Sequence, residues 1–281
     1  MADDRYRIFR EVVELPDDKI DLGRAALAIA QEEYPSLRVE TYLTRMDQLA
    51  AVVRDRSAGE NSPYRLIACL NHVLFTKEAY RGNGDDYYDP RNSFLNDVIE
   101  RRKGIPITLS VLYMEVARRV ELKLHGIGFP GHFLVKYVGD EGEIVPEIVI
   151  DPFDNGEVRT AEELQEMLNG LYGGKVAFHP DFLAPVSNRD ILQRMLNNLK
   201  AIYLRQEDFS KALSTAERLV IIDPTSAQEI RDRGLLYLKL ERYPQAIDDL
   251  ETYLRLAPDA ADAEEILHQL ENLKKRAVQV H

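Results

Sequence analysis

Hydrophobic positions recur at helical spacing along much of the chain. Leu22, Ala26, Ile29 and Ala30 share one face of a helix expected over 19–34. Leu43, Met46, Leu49 and Val53 do the same over 40–56, with Pro35 separating the two. Recurrence every three or four residues is the pattern of an amphipathic helix. Leu66, Ile67, Leu70, Val73 and Leu74 continue it over 63–80. The run Arg81-Gly82-Asn83-Gly84-Asp85-Asp86-Tyr87-Tyr88-Asp89-Pro90 interrupts the pattern with turn residues. Helices are expected next at 92–102 and 106–120, then strand-like runs at 125–128, 132–138 and 144–150. A short helix over 162–171 opens at Thr160, with Glu163 placed to complete a capping box. Gly173, Gly174, Pro180 and Pro185 suggest that 173–188 is a linker.

Beyond the linker the chain matches itself at a shift of 34. Tyr203 pairs with Tyr237, Leu204 with Leu238, Phe209 with Tyr243, Ala212 with Ala246 and Pro224 with Pro258. Small alanines let two helices approach closely, and a proline ends each unit. Period and pattern resemble the tetratricopeptide repeat, a helix–turn–helix unit. Two repeats are expected, at 190–223 and 224–257, with a capping helix at 259–277. The expected division is therefore 1–187, helical then mixed, and 188–281, all helical.

Composition narrows the function classes. The 281 residues are 45% hydrophobic and 30% charged, ordinary for a globular chain. No apolar run approaches 18 residues, so no membrane span is expected. The start, Met1-Ala2-Asp3-Asp4-Arg5, is acidic and has no apolar stretch, so no signal peptide is expected. The single cysteine, Cys69, excludes a disulfide framework and a multi-cysteine metal site. Cytoplasmic residence is the expectation. The net charge is −12, of which −10 falls on the first 187 residues. A phosphate backbone would meet repulsion there, so no nucleic-acid partner is expected. None of the six histidines pairs at the spacing of a zinc helix, and no phosphate-binding glycine loop is present. No metal and no cofactor are expected.

Three segments carry candidate chemistry. They are Arg101-Arg102-Lys103-Gly104-Ile105-Pro106-Ile107-Thr108-Leu109-Ser110, Phe129-Pro130-Gly131-His132-Phe133-Leu134-Val135, and Ile148-Val149-Ile150-Asp151-Pro152-Phe153. A helix start, a histidine opening a strand and an aspartate closing the next are the parts of a thiol-hydrolase triad. The helix dipole favours a thiolate, the histidine acts as base and the aspartate orients it. Here the chain resembles the transglutaminase-like superfamily, with 104–124 similar to its core helix and His132 and Asp151 matching its histidine and aspartate. With the helical first part and the trailing repeats, the whole resembles the SirB-one family. Gly82-Asn83, Tyr87, Asp89-Pro90, Asn92-Ser93, Arg101-Arg102, Gly104 to Ile107, Tyr113, His132-Phe133 and Asp151-Pro152-Phe153 carry that resemblance. It implies an α+β, mostly helical, papain-like core with a small antiparallel sheet, followed by an all-α repeat tail.

The departure from the pattern decides the functional expectation. Active transglutaminase-like enzymes carry Gly-x-Cys at the helix start and an arginine twelve residues after the cysteine. Gly104 and Arg118 keep those places, but the cysteine position holds Pro106. Proline offers no nucleophile and suits the first helical turn, where its missing N–H costs nothing. Ser110 lies one turn deeper on the same face and is expected to bond back to its own helix. Cys69 is expected to be a small buried hydrophobe. On the first repeat helix, Arg194 and Asn198 are four apart and are candidates for a peptide-carboxylate clamp. The expectation is a non-catalytic transglutaminase-like protein, a pseudoenzyme with a remnant His132–Asp151 pair, that binds or scaffolds a protein or peptide. The alternative is an acyl-transfer or amide-hydrolysing enzyme that uses His132 and Asp151 without the usual cysteine.

Overall fold

The computed structural model describes residues 6–139 and 147–279. Two compact units divide between Met195 and Leu196.

The first unit opens with α1 (Arg7–Val13), a helix absent from the expected elements, which buries Phe9, Val12 and Val13 at helical spacing. α2 (Leu22–Ala30) is shorter than expected and almost wholly buried; the Asp21 carboxylate accepts the Arg24 N–H at 2.9 Å and sets its start. α3 (Val39–Ser57) buries Leu43, Met46, Leu49 and Val53 as its pattern predicts. α4 (Pro63–Asn71) starts on a Ser62 cap and widens into a π-helical turn over His72–Lys77, which ends the helix before Tyr80.

Next come two parallel strands of two residues, β1 (Arg81–Gly82) and β2 (Lys103–Gly104), which bracket α5 (Leu95–Arg101). α6 (Pro106–Arg119) is the central helix, buried from Pro106 to Ala117. Its near-continuous apolar sequence follows from being surrounded on all sides. It packs against α2, α3, α5, β3 (Leu124–Ile127) and β4 (Leu134–Tyr137).

β3, β4, β5 (Ile148–Asp151) and β6 (Glu157–Val158) form an antiparallel sheet in that order. Val135 pairs with Ile150, and Asp151 with Glu157. Of the strand expected over 144–150, residues 144–146 lie outside the described residues. α7 (Ala161–Tyr172) opens on the expected box: Thr160 Oγ1 accepts the Glu163 N–H at 3.3 Å, and Glu163 Oε2 accepts the Thr160 N–H at 2.8 Å. Its Leu164 and Leu168 close a core with Ile127, Phe129, Leu134 and Val149. α8 (Asn188–Arg205) begins in this unit.

The second unit continues through the end of α8 and holds α9 (Phe209–Ile222), α10 (Ala227–Lys239), α11 (Tyr243–Leu256) and α12 (Ala263–Gln279). The 34-residue shift reappears in three dimensions. α9 and α11 start and end 34 residues apart, as do the ends of α8 and α10. Glu207 and Glu241, also 34 apart, both take the left-handed backbone conformation, at φ 57° and 58°. Ala246, Leu250 and Tyr253 of α11 pack on Ile266, Leu270 and Leu273 of α12, the expected cap.

Candidate functional site

His132 and Asp151 meet. His132 does not open a strand, as its sequence suggested. Its N–H donates to the Phe129 carbonyl at 3.0 Å, closing a turn in which Gly131 takes φ 70°, and β4 starts two residues later. This turn presents the imidazole to the end of β5. Its Nε2–H donates to Asp151 Oδ1 at 2.9 Å. No described residue hydrogen-bonds to Nδ1.

Asp151 is almost fully buried. Oδ1 also accepts the N–H groups of Phe153 at 3.1 Å and Asp154 at 3.4 Å, capping the 3-10 turn Pro152–Asp154. Oδ2 accepts from Arg159 at 3.3 Å. Burial by itself pushes this carboxyl up. The hydrogen bond and charge of His132, then Arg159, outweigh burial and hold it below the ordinary aspartate range. The loop beyond Asp151 is pinned by a buried chain of bonds. Tyr113 of α6 donates to Asn71 Oδ1 at 2.8 Å, and Asn71 Nδ2 donates to the Gly156 carbonyl at 2.8 Å.

Pro106 is the first residue of α6 and is buried. The α6 N-terminus is closed from within. Thr108 Oγ1 accepts the Ile105 N–H at 3.2 Å and donates to the Asn92 carbonyl at 2.7 Å. The Phe153 ring stands edge-on to the imidazole, at 5.8 Å between centroids. The same ring lies so close to Gly82 that a Cβ there would sit 2.6 Å from Cε2. Gly82 pairs with Gly104, two residues before Pro106. An aromatic ring therefore packs between the histidine and the strand pair that leads into α6.

Other expected residues fall differently. Ser110 is fully buried, but its Oγ has no partner among the described residues, so the expected bond back to its own helix is absent. Cys69 is buried, as a small hydrophobe should be. Arg118 pairs with Glu115 at 3.0 Å on its own helix. Arg194 reaches the His132 turn, donating from Nη2 to the His132 carbonyl at 2.6 Å and lying over the Phe133 ring at 5.4 Å. Its sequence gave no sign of this, because main-chain acceptors leave no signature. Asn198 lies in the second unit, half-buried. Among the described residues, no group of three His, Cys, Asp or Glu is placed to hold a metal, and no helix is long and apolar enough to cross a membrane.

Residues 40–197 match the family model of the transglutaminase-like superfamily, and residues 199–271 that of a tetratricopeptide repeat. A UPF0162 protein of Xylella fastidiosa is 38% identical over 281 residues, covering 98% of this chain and 97% of that protein. The chain belongs to the UPF0162 family of transglutaminase-like proteins. A Vibrio cholerae member is 30% identical, covering 91% of this chain and 93% of its own length. A crystal structure of menin aligns with a TM-score of 0.39 at 12% identity, over 98% of this chain and 77% of that one, too low for an argument. The expected union of transglutaminase-like core and repeat tail is thus present, and α6, His132 and Asp151 belong to that core.

Proposed function

We propose that this protein is a non-catalytic, transglutaminase-like binding or scaffolding protein whose repeats dock a protein or peptide. The observation that carries the reading is Pro106. The position that needs a thiol holds a buried proline, and the nearest hydroxyl along the helix, Thr108, is committed to closing the helix start. An acyl transfer needs a nucleophile before it needs a base. The repeats support docking. Lys200, Leu204, Phe209, Asp232, Leu235 and Lys239 help to line a concave site of about 490 Å³, into which Leu204 projects half-exposed.

The intact His132–Asp151 bond and the unbonded Nδ1 favour a second reading, an acyl-transfer or amide-hydrolysing enzyme whose imidazole activates water. The two separate in one experiment. Full-length wild type, His132→Ala and Leu204→Asp are assayed with aryl-ester and glutamine-amide substrates, and used as bait for partner capture. The binding reading expects no turnover above background, capture by wild type and His132→Ala, and loss of capture in Leu204→Asp. Turnover that His132→Ala abolishes establishes the enzyme instead.

A further inference from the structure

Arg194 is a shielded cation that pairs with no carboxylate among the described residues. Four other sheltered cations among the described residues do have one. Arg119 faces Glu115 and Asp47, Arg159 faces Asp151 and Asp154, Arg233 faces Asp249, and Lys200 faces Glu229 and Asp232. The described partners of the Arg194 guanidinium are main-chain carbonyls, His132 at 2.6 Å and Phe129 at 3.4 Å, both reached from Nη2. Carbonyl dipoles satisfy hydrogens but do not neutralise a charge. Burial accordingly pushes this guanidinium below the usual arginine range, and the phenols of Tyr87 and Tyr172 lie near it.

Those two phenols are accessible, each 38% exposed. The Tyr172 hydroxyl lies over the His132 turn, 3.4 Å from where a Gly131 side chain would begin. Tyr87 is held in place through its carbonyl by Asn92 Nδ2 at 3.4 Å. The cation and the Tyr172 hydroxyl thus both lie against the His132 turn, and the Tyr87 phenol is near enough to act on the Arg194 charge. A cation held by carbonyls alone suits an incoming carboxylate, and an arginine–carboxylate bond is among the strong hydrogen bonds.

We propose that Arg194, with Tyr87 and Tyr172, forms a carboxylate-binding subsite beside His132, which takes the C-terminal carboxylate or an acidic side chain of a bound peptide. It rests on reading the protein as a binding protein rather than an enzyme, and extends that binding from the repeats to the core. It places Arg194 in carboxylate recognition, as its sequence suggested, but at the core turn and without Asn198.

The test is an NMR titration of the labelled full-length chain, reading the Arg194 Nε–Hε signal. Three probes are used: acetyl-Ala-Ala-Ala with a free C-terminus, acetyl-Ala-Glu-Ala amide, and acetyl-Ala-Gln-Ala amide. Saturable shifts are expected with one or both carboxylate peptides, and roughly tenfold weaker binding with the glutamine peptide. Which carboxylate peptide binds tells a chain terminus from an acidic side chain. Removal of Arg194 risks loosening the turn it holds, so Tyr87→Phe and Tyr172→Phe serve as variants that keep their rings. Each is expected to weaken carboxylate binding several-fold without moving the melting temperature. Equal binding of the glutamine peptide, no shift with any probe, or indifference to both variants overturns the subsite. Partner capture that still depends on Leu204 then leaves the docking function standing. Turnover that depends on His132 overturns the function itself, whatever the peptides do.

Discussion

Replacing Gly82 by alanine tests how the candidate site is packed. The added methyl carbon would lie 2.6, 2.7 and 2.8 Å from Cε2, Cζ and Cδ2 of Phe153. Carbon atoms rest at about 3.5–4.0 Å, so the ring has to retreat by roughly 1 Å. It has little room to do so, because it also stands against the His132 ring and its own N–H is bonded to Asp151. Two effects of opposite sign compete. Alanine for glycine in a tolerant backbone stabilises by about 0.4–1 kcal/mol through the unfolded chain. Overpacking a filled space costs about 1–3 kcal/mol. The contacts are short enough for the second to win, so Gly82→Ala should be destabilising by about 1–2 kcal/mol.

The assay is urea unfolding of the full-length chain, followed by near-ultraviolet circular dichroism, on Gly82→Ala, Phe153→Ala and the double variant. Removing the ring makes space for the methyl group. In the Phe153→Ala background, Gly82→Ala should therefore turn neutral or slightly stabilising, giving a coupling of at least about 1 kcal/mol. The His132 ring signals should move in Gly82→Ala, because the displaced ring leans on the imidazole. Equal cost of Gly82→Ala with and without the ring would refute the packing described between β1 and the histidine.

Two further outcomes follow from the same site. Asp151 titrates below its unfolded value in the native state, so its stabilisation is present above about pH 4 and fades as the pH falls through its native value. Asp151→Asn should lose about 2 kcal/mol at pH 7, and its stability gap to wild type should narrow on acidification, as pH-dependent urea melts will show; a gap that widens in acid contradicts the sign. Thr108→Val strands two buried main-chain groups, Ile105 N–H and the Asn92 carbonyl, and should cost about 1–3 kcal/mol in the same assay; a loss under 0.5 kcal/mol would show that the α6 start is held by other groups.

The repeats were legible because their signal is redundant. A 34-residue shift is written in aromatic, alanine and proline positions alike, and the structure repeats it in helix ends and in the left-handed residues Glu207 and Glu241. α7 was legible through its capping box, and α3 through its unbroken face. α1 carried a usable signal in Phe9, Val12 and Val13, but one turn of periodicity is easily passed over. β1 and β2 carried none, since two residues cannot display alternation. The approach of His132 to Asp151 came from the resemblance to a family, not from spacing. The rest of the site was out of reach for a physical reason. Arg194 binds carbonyl oxygens, Asp151 caps a turn, and Phe153 leans on a glycine. These contacts use the main chain or the absence of a side chain, so no pattern of residue types announces them.

The His132–Asp151 pair has a structural reason to exist whether or not it serves a reaction. If Asp151 served only to orient an imidazole, losing the thiol would leave a buried carboxylate with nothing to do. Instead, the carboxylate accepts four hydrogen-bonding groups: the imidazole, two main-chain N–H groups and the Arg159 guanidinium. It thereby ties the His132 turn, the end of β5 and the β5–β6 connection into one assembly. The imidazole completes that set, because a carboxylate in so dry a place needs each of its acceptor sites filled. On the proposed reading, Pro106→Cys would not by itself create a reaction. The position is buried, and Thr108 already occupies the main-chain groups at the helix start. The geometry of a catalytic dyad here is equally the geometry of a staple. The staple is the more economical account, because it explains the two bonds to the Pro152–Asp154 turn, which orienting a base does not require.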